Sequence, residues 1–259
     1  MPAVLPLVII PARFGSVRYP GKPLINLTAR DGTTRSLIEW TWRAGVAAVG
    51  TERAVIATDD QRIADAAQAF GARWVMTDPA LRNGTERCAA ALDALRASAD
   101  VVINLQGDSP LVPVAHLTAL LARFADPAVS VATPYVACDA AMMAWIGAEQ
   151  AAGRIGGTCV VCRGDGTAAY FSKRAIPFGA TVDEPLKLHL GVYAYRPAAM
   201  AAYAELPPSP LERAEGLEQL RFIEAGWPVH MVEVERPRGG IWEVNNPDDV
   251  ALVNPLLPC

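Results

Sequence analysis

Short apolar runs alternate with segments of helical periodicity over the first half of the chain. Five runs rich in Val, Ile and Ala are bounded by turn residues, as is typical of buried strands, and lie at 3–10, 53–59, 72–77, 100–106 and 130–136. The segments with apolar residues at helical spacing lie between them, at 36–49, 60–71, 83–98 and 114–125. This order predicts an α/β fold of the Rossmann-like type, with a mostly parallel sheet flanked by helices. Ligands of such folds bind beyond the carboxyl ends of the strands.

Capping residues help to place the first helices. Asp59 or Asp60 is predicted to cap the helix at 60–71, and Thr85 the helix at 83–98, because short polar side chains accept hydrogen bonds from free backbone N–H groups.

The pattern becomes less regular after residue 125. The segment 157–172 predicts a hairpin that turns at Gly164–Gly166, and 189–196 and 228–235 predict strands. A single helix is predicted at 211–226, entered through Ser209 and Pro210, and another at 245–257 with Asn246 as its cap. We expect one domain, with a core at about 1–125 and 227–259 and a smaller inserted β-rich lobe at about 126–226.

Composition limits the classes of function. The chain has 259 residues, 52% of them hydrophobic, so it can bury a large core, and its net charge of −4 argues against a general nucleic-acid or membrane-surface binder. The first residues show neither a signal peptide nor a transmembrane segment, which predicts a cytoplasmic protein. Five scattered cysteines fit reduced thiols, and Cys159 and Cys162 favour buried strand thiols over a metal or redox pair.

The loop after the first strand carries three cations. The stretch VIIPARFGSVRYPGKPL, residues 8–24, sets Arg13, Arg18 and Lys22 beside glycines that allow close backbone approach. Such a loop is either a polyphosphate site or a solvated basic loop. It matches neither the P-loop nor the G-x-G-x-x-G pattern, so neither of those mechanisms can be assumed.

Two further polar clusters fall at strand ends or helix starts. In VVINLQGDSPLV, Gln106 ends an apolar strand and Asp108 follows its turn, where a carboxylate suits Mg²⁺ unless it is a plain turn residue. In NGTERCAAA, Arg87 lies in the first turn of a helix whose free amides favour an anion. Cations in one loop and an acid in another indicate nucleotide chemistry.

These clusters, in this order, resemble the CMP-Kdo synthetase family, the 3-deoxy-manno-octulosonate cytidylyltransferases. The resemblance extends to ATDD (57–60), AAYFSKRAIPF (168–178), HLGVYAYR (189–196) and SPLERAEGLEQLRFIEAG (209–226), and so covers almost the whole chain. It implies a Rossmann-like nucleotidyltransferase that forms a homodimer. Such an enzyme transfers CMP from CTP to an acidic acceptor and releases pyrophosphate.

The resemblance also implies roles for individual residues. Arg13, Lys22 and Asp108 would be catalytic, with Mg²⁺ as cofactor. The CTP-binding set would be Arg13, Arg18, Lys22, Arg87 and Gln106. The acceptor-binding set would be Lys173, His189, Tyr193, Glu218 and Gln219, of which His189 and Tyr193 could equally be core residues and Glu218 and Gln219 solvated positions in the middle of a helix. The metal ligands would be Asp108 and the residue at position 245.

The chain departs from the family pattern on the metal and acceptor sides. Asn245 stands where the family usually has an aspartate, which should weaken metal binding unless Glu243 or a substrate oxygen compensates. Lys173 replaces an arginine, and the segment after AIPF is short. The acceptor is therefore either a Kdo-like sugar acid or a small phosphonate such as phosphonoformate, used in natural-product biosynthesis.

Two rival classes are considered. The first is a nucleotide-binding relative that has lost catalysis, against which Arg13, Lys22, Gln106 and Asp108 all argue. The second is a glycosyltransferase of similar fold, but such enzymes usually carry a D-x-D-like metal motif, and QGDSP has a single acid.

Overall fold

The computed structural model of the chain describes residues 4–15, 19–237 and 243–258. Its strands are β1 (Pro6–Ala12), β2 (Asn26–Thr28), β3 (Thr34–Ser36), β4 (Ala54–Thr58), β5 (Arg73–Met76), β6 (Val101–Leu105), β7 (Val131–Ala137), β8 (Thr158–Cys162), β9 (Ala168–Ser172), β10 (Lys187–His189), β11 (Val192–Tyr195) and β12 (His230–Glu233). Its helices are α1 (Leu37–Val49), α2 (Gln61–Ala69), α3 (Gly84–Leu95), α4 (Val114–Arg123), α5 (Ala140–Ala151), α6 (Pro197–Glu205), α7 (Pro210–Glu215), α8 (Leu220–Glu224) and α9 (Asp249–Val253).

Within the described residues, one ten-stranded sheet organises the molecule. Its order is β5-β4-β1-β6-β11-β7-β10-β8-β9, and β12 pairs with β7. The strands β5, β4, β1 and β6 are parallel, whereas β11, β10, β8 and β9 pair antiparallel with their neighbours. The predicted α/β fold with helices on the faces of the sheet is thereby confirmed. The strands of the predicted inserted lobe continue this same sheet.

Strand β1 lies at the centre of the core. Its side chains alternate between two apolar layers: Leu7 and Ile9 belong to one layer, and Val8 and Ile10 to the other. All four are essentially inaccessible to solvent. A strand buried on both faces reads as a continuous apolar run, which is why the sequence pattern predicts it so clearly.

Two predicted elements are each divided at a glycine. The helix predicted at 211–226 is wrong as a single element: α7 ends at Gly216, whose φ of +63° suits glycine and whose N–H bonds to the Glu212 carbonyl at 2.7 Å. The strand predicted at 189–196 breaks at Leu190–Gly191. As a result β10 and β11 lie on opposite sides of β7.

The helix caps differ from prediction in two places. Asp60 caps α2 as predicted, but Asn83, not Thr85, caps α3 by accepting a hydrogen bond from the Glu86 N–H at 2.9 Å. The last helix begins at Asp249, and the Asp249 carboxylate accepts from the N–H groups of Asn245 and Asn246, so Asn246 is not its cap. Thr85 is thus released for another role inside the first turn of α3.

The remaining predictions about strands and thiols agree with the structure. The hairpin of β8 and β9 forms as predicted. Cys159 and Cys162 are both free thiols on β8, but only Cys159 is buried as predicted, whereas Cys162 is half-buried. None of the described helices is both long and apolar enough to cross a membrane. The small β2–β3 sheet and the helices α5 and α6 were not predicted.

Candidate active site

The loop after β1 is shaped by a glycine turn. Arg13 follows β1 directly and is exposed. Gly21 has a φ of +71°, its N–H bonds to the Phe14 carbonyl at 3.0 Å, and a Cβ at this position would lie 3.1 Å from the Phe14 ring. Only glycine fits both constraints, so the turn delivers Lys22 to a fixed place. Arg18, the third predicted cation, lies outside the described residues.

Lys22 and Asp108 meet at the carboxyl ends of two neighbouring parallel strands. The Lys22 Nζ lies 2.7 Å from the Asp108 Oδ2, and both side chains are mostly buried. Gly107 lets this meeting happen, because a Cβ there would lie only 2.8 Å from the Pro11 carbonyl oxygen. The loops after β1 and β6 therefore pack together and bring the predicted phosphate cation against the predicted metal-binding acid.

The segment that precedes α9 runs beside Asp108. The Val244 N–H donates to the Asp108 carbonyl at 3.0 Å, and the Asn245 Nδ2 lies 3.4 Å from the Glu243 Oε2. A Cβ on Gly191 would lie 3.1 Å from the Glu243 Oε1. The segment 243–245, which carries the oxygen-bearing side chains of Glu243 and Asn245, is thus bonded to the Asp108 turn through the Val244 backbone.

Arg87 supports the site from inside. It is 3% exposed, and its guanidinium donates to the Thr77 Oγ1 at 2.5 Å and to the Asp59 Oδ2 at 3.0 Å. These bonds fix the first turn of α3 to the ends of β4 and β5. Its direct role in nucleotide placement remains a prediction.

Gln106 lies against the start of α3. A Cβ on Gly84 would come within 3.1 Å of the Gln106 amide, and the Gln106 Nε2 donates to the Asn104 Oδ1 at 3.1 Å. Gly84 is therefore a close-approach glycine, and a larger residue would push the Gln106 amide away.

His189 is held as a neutral imidazole. Its Nε2 lies 2.8 Å from the Thr133 Oγ1, and the Thr133 hydroxyl also lies 2.8 Å from the Val192 carbonyl. A hydroxyl hydrogen that is donated to a carbonyl leaves the imidazole Nε2–H as the donor to threonine, so Nδ1 keeps its lone pair. Burial lowers the pKa of His189 to about 3, so this ring stays uncharged at neutral pH.

Tyr193 and Gln219 continue the polar surface from His189. The Tyr193 ring lies 5.4 Å from the His189 ring, and its hydroxyl donates to the Gln219 Oε1 at 3.1 Å. Gln219 is 3% exposed, and its Nε2 has no hydrogen-bond partner among the described residues. A buried amide without a partner is costly, which marks this N–H₂ as a donor available to a ligand.

Glu218 reaches the first turn of α3. It lies in the loop between α7 and α8, not in the middle of a helix, and its Oε2 accepts a hydrogen bond from the Thr85 N–H at 3.3 Å. Loss of hydration raises the pKa of Glu218 to about 7, although the hydrogen bonds from Thr85 oppose this shift. The carboxyl therefore changes charge near neutral pH.

Lys173 lies beside the same loop. A Cβ on Gly216 would lie 2.9 Å from the Lys173 Nζ, and the Lys173 N–H donates to the Glu215 Oε2 at 3.0 Å. All five predicted acceptor residues thus lie around or next to the loop that joins α7 to α8.

A chain of hydrogen bonds links the two predicted halves of the site. It runs from Gln106 to Asn104, from the Asn104 Nδ2 to the Thr85 Oγ1 at 3.3 Å, and from the Thr85 N–H to Glu218. The Tyr195 hydroxyl lies 3.1 Å from the same Thr85 Oγ1. Asn104 was not singled out from the sequence, yet a polar residue inside the buried run VVINL was a usable signal.

Comparisons with known proteins place the chain in a family. A cytidylyltransferase family model matches residues 7–234. The chain is 42% identical over 254 residues to the 3-deoxy-manno-octulosonate cytidylyltransferase of Maricaulis maris, covering 97% of this chain and 96% of the relative. It is 35% identical to the enzyme of that name from Chlamydia abortus, covering 97% and 93% of the two chains.

A solved structure matches equally well. It is that of CMP:2-keto-3-deoxy-manno-octonic acid synthetase complexed with CTP, with a TM-score of 0.82 and 33% identity over 96% of this chain and 97% of that one. The chain therefore belongs to the cytidylyltransferases and, within them, to the CMP-Kdo synthetase family. It is a CTP-dependent nucleotidyltransferase.

The raised pKa of Glu218 predicts a pH-dependent stability. A folded-state pKa of about 7, above the ordinary 4.5, means that the folded protein binds this proton more tightly than the unfolded chain. The Glu218 contribution is therefore most favourable below pH 4.5, is lost as the pH rises from about 4.5 to 7, and is constant above. We expect Glu218→Gln to gain melting temperature relative to the wild type across that interval, as measured by differential scanning calorimetry.

The matched control is Glu205→Gln, at the exposed end of α6. This variant should run parallel to the wild type at every pH. If the melting temperature of Glu218→Gln also ran parallel to that of the wild type at every pH, the raised pKa of Glu218 would be contradicted.

The Lys22–Asp108 pair predicts a large loss of CTP affinity in Lys22→Ala. If Lys22 binds phosphate as predicted, the variant loses a charge-assisted contact worth about 1.5–3 kcal/mol and leaves the Asp108 carboxylate without its cation. We expect roughly a ten- to hundredfold weaker Kd in isothermal titration calorimetry. Lys187→Ala is the control, because Lys187 lies over the Tyr135 ring, and it should bind CTP as the wild type does. Equal affinities in all three proteins would contradict the assignment of Lys22.

Proposed function

We propose that this protein transfers CMP from CTP to 3-deoxy-manno-octulosonate (Kdo) and releases pyrophosphate. The observation that carries the proposal is the hydrogen-bonded chain from Gln106 through Asn104 and Thr85 to Glu218, which joins the nucleotide loops to the acceptor residues. The relatives that share a third or more of its sequence over nearly its full length are named for this reaction.

The nucleotide side consists of the loops after β1 and β6. Arg13 and Lys22 hold the phosphates of CTP, with Arg18 from the same loop. Lys22 is already held in place by Asp108 at 2.7 Å, and a bound triphosphate offers the ammonium a more highly charged partner. Positioning and charge neutralisation supply most of the catalysis in phosphoryl-type transfer, so fixed cations suit this role.

The reaction is an in-line displacement at the α-phosphorus of CTP. The oxygen of an acceptor hydroxyl forms the new O–P bond and gives up its proton to water. The bond to the bridging oxygen of the β-phosphate breaks, and pyrophosphate leaves with that electron pair. The cationic loop stabilises the charge that develops on the leaving group.

The donors around Asp108 fit Mg²⁺ in kind. They are oxygens of Asp108, Asn245 and Glu243, the last two on the segment whose Val244 N–H bonds to the Asp108 carbonyl. Hard oxygen donors, one or two of them carboxylates, are what Mg²⁺ takes from proteins, with phosphates and water completing its shell. The described residues contain no group of three or more acidic, histidine or cysteine side chains placed to hold an ion. The support for Asp108 and Asn245 as the protein ligands, aided by Glu243, is the family resemblance together with the backbone bond that joins their two segments. When bound, Mg²⁺ would neutralise phosphate charge.

The acceptor side suits a polyhydroxylated acid. The His189 Nδ1 can accept from a hydroxyl, the Gln219 Nε2 can donate, and Lys173 adds positive charge next to the loop. Because the pKa of Glu218 is about 7, part of the population is uncharged at neutral pH, which lowers the repulsion towards an acidic acceptor.

The phosphonate alternative finds no support in the relatives compared. The features behind it are Asn245, Lys173 and the short segment after AIPF. Of these, Asn245 retains an oxygen that can bind a metal, and Lys173 retains a positive charge. The non-catalytic alternative rests on the replacement of the second family aspartate by Asn245. Lys22, Gln106 and Asp108 argue against it, since all three lie at the same edge of the sheet.

An acceptor panel tests the proposal. We expect pyrophosphate release from CTP and Mg²⁺ with Kdo, and little or none with phosphonoformate or without an acceptor. Asp108→Asn should abolish the release, because the neutral amide lacks the negative charge that holds Lys22 and that a metal ligand at this position supplies. Turnover with phosphonoformate alone would assign the phosphonate reaction, and CTP binding with no release for any acceptor would assign the non-catalytic alternative.

We propose further that the protein is a homodimer through the surface around α5. Four large apolar side chains are exposed on α5 and the segments that pack near it: Trp145, Ile155, Phe178 and Val182. Met142 and Ile146 of α5 share one buried apolar cluster with Leu186, Leu188 and the partly buried Ile176, so the segments that carry these exposed side chains lie close together. Clustered apolar exposure of this kind is typical of protein–protein contacts, and a second copy of this chain is the partner the family resemblance implies.

Phe178→Ser tests the dimer. Phe178 is fully exposed, so its substitution costs the fold little while it removes apolar area from the contact. We expect sedimentation velocity to show a dimer for the wild type and a shift towards monomer for Phe178→Ser. Leu252→Ser, at an exposed apolar position on α9, should stay dimeric. A monomeric wild type, or a variant that sediments with the wild type, would contradict the proposed surface.

A further inference from the structure

Arg221 is among the largest side chains that are almost fully buried in the described part of the chain. Its side chain is 2% exposed, and it binds two carboxylates at once. The Nε and one terminal nitrogen donate to the two oxygens of Glu212 at 2.7 and 2.5 Å, and the other terminal nitrogen donates to the Glu86 Oε1 at 3.0 Å. The guanidinium also lies 4.1 Å from the centre of the Tyr203 ring. An arginine this deeply buried persists only when its donors are satisfied, as they are here.

The two carboxylates belong to segments on either side of the proposed reaction centre. Glu86 lies in the first turn of α3 between Thr85 and Arg87, and hydrogen bonds from Arg82 and Arg221 keep its pKa below the ordinary value although burial works the other way. Glu212 lies on α7, while Arg221 lies on α8. The Arg221 guanidinium therefore links α8 to α7 on the two sides of the intervening loop, and links both helices to α3.

The loop between α7 and α8 carries Glu218 and Gln219, which bond to different parts of the proposed site. Glu218 bonds to the Thr85 N–H, and Gln219 bonds to the Tyr193 hydroxyl. Tyr203 adds a second tie, since its hydroxyl accepts from the Asn83 Nδ2 at 2.9 Å and donates to the Glu218 carbonyl at 3.3 Å. The Gln219 Nε2 is left without a partner among the described residues, so its place depends on the backbone that carries it.

We propose that Arg221 is a positioning residue that sets the acceptor loop, residues 216–219, at a fixed distance from the nucleotide-binding first turn of α3. The identity of the acceptor in this inference rests on the proposed function. The position of the loop rests on the ion pairs of Arg221 with Glu86 and Glu212. Arg221 touches neither substrate; it acts through Glu218 and Gln219. A displacement of those two groups by an ångström is enough to lower turnover strongly, because transfer depends on the alignment of the acceptor with the phosphate.

Arg221→Lys separates geometry from charge. Lysine keeps the positive charge but cannot present the planar fork that engages Glu212 and Glu86 together. We expect a KM for the acceptor raised about tenfold or more and a lower kcat, with the Kd for CTP changed far less. In the free protein, hydrogen exchange should become faster at 84–88 and 217–220 and stay unchanged at the centre of the sheet.

Arg196→Lys is the matched control. Like Arg221, Arg196 is a hydrogen-bonded arginine that lies over an aromatic ring, that of Phe124. Its guanidinium donates to the carbonyls of Val129 and Phe124, in a different part of the fold. Its substitution should leave the acceptor KM and exchange at 84–88 unchanged. Glu212→Gln is the second variant, in case Arg221→Lys folds poorly, and it should loosen the same two segments to a smaller degree.

The outcomes are separable. Faster exchange at the two segments together with an unchanged acceptor KM would overturn the proposal, since Arg221 would then be structural only. Wild-type exchange in both Arg221→Lys and Glu212→Gln would also overturn it. If the wild type releases no pyrophosphate with any acceptor, the proposed function fails, and the exchange measurement still decides whether Arg221 holds the loop.

Discussion

The first turn of α3 is the place on which the rest of the site depends. The Thr85 N–H donates to Glu218, and the Thr85 hydroxyl oxygen accepts from the Asn104 Nδ2 and lies 3.1 Å from the Tyr195 hydroxyl, so this residue contacts both halves of the proposed site. The free N–H groups of a helix start are ordinarily satisfied by a cap or by water. Here the Asn83 side chain accepts from one of these N–H groups and the Glu218 side chain accepts from another. The start of α3 is therefore bonded both to its own cap and to the loop between α7 and α8.

Three cations of the site region each form a salt bridge with one or two carboxylates. Lys22 is held by Asp108, Arg87 by Asp59, and Arg221 by Glu86 and Glu212. Each cation has a fixed direction before a ligand arrives, which spares the reorganisation that a flexible cation would need. The chemistry of CMP transfer needs little more than such placement, and the fold supplies it from loops that the parallel strands bring to one edge.

The sequence predicted the parallel half of the fold because its strands are buried on both faces and read as unbroken apolar runs. The meeting of Lys22 with Asp108 could be expected, since carboxyl ends of neighbouring parallel strands share an edge. The break of the helix at Gly216 was missed because LERAEGLEQL keeps a helical period through the glycine, and only the left-handed backbone there shows the end of α7. Contacts such as Arg221 with Glu86 span 135 residues, and no local pattern reports them. The roles of His189 and Gln219 came from the family resemblance, and the structure shows where these two groups lie.

The coupling between nucleotide binding and acceptor binding across Thr85 is the most direct quantity to measure. Calorimetric titration of Kdo into the protein, with and without a non-hydrolysable CTP analogue, gives that coupling as a ratio of affinities. For the wild type the account predicts that Kdo binds more tightly when the nucleotide is bound. In Thr85→Val, which loses the hydroxyl bonds to Asn104 and Tyr195, the ratio should fall towards one. Independent binding of the two ligands in the wild type, or an unchanged ratio in Thr85→Val, would contradict the claim that this helix turn joins the two halves of the site.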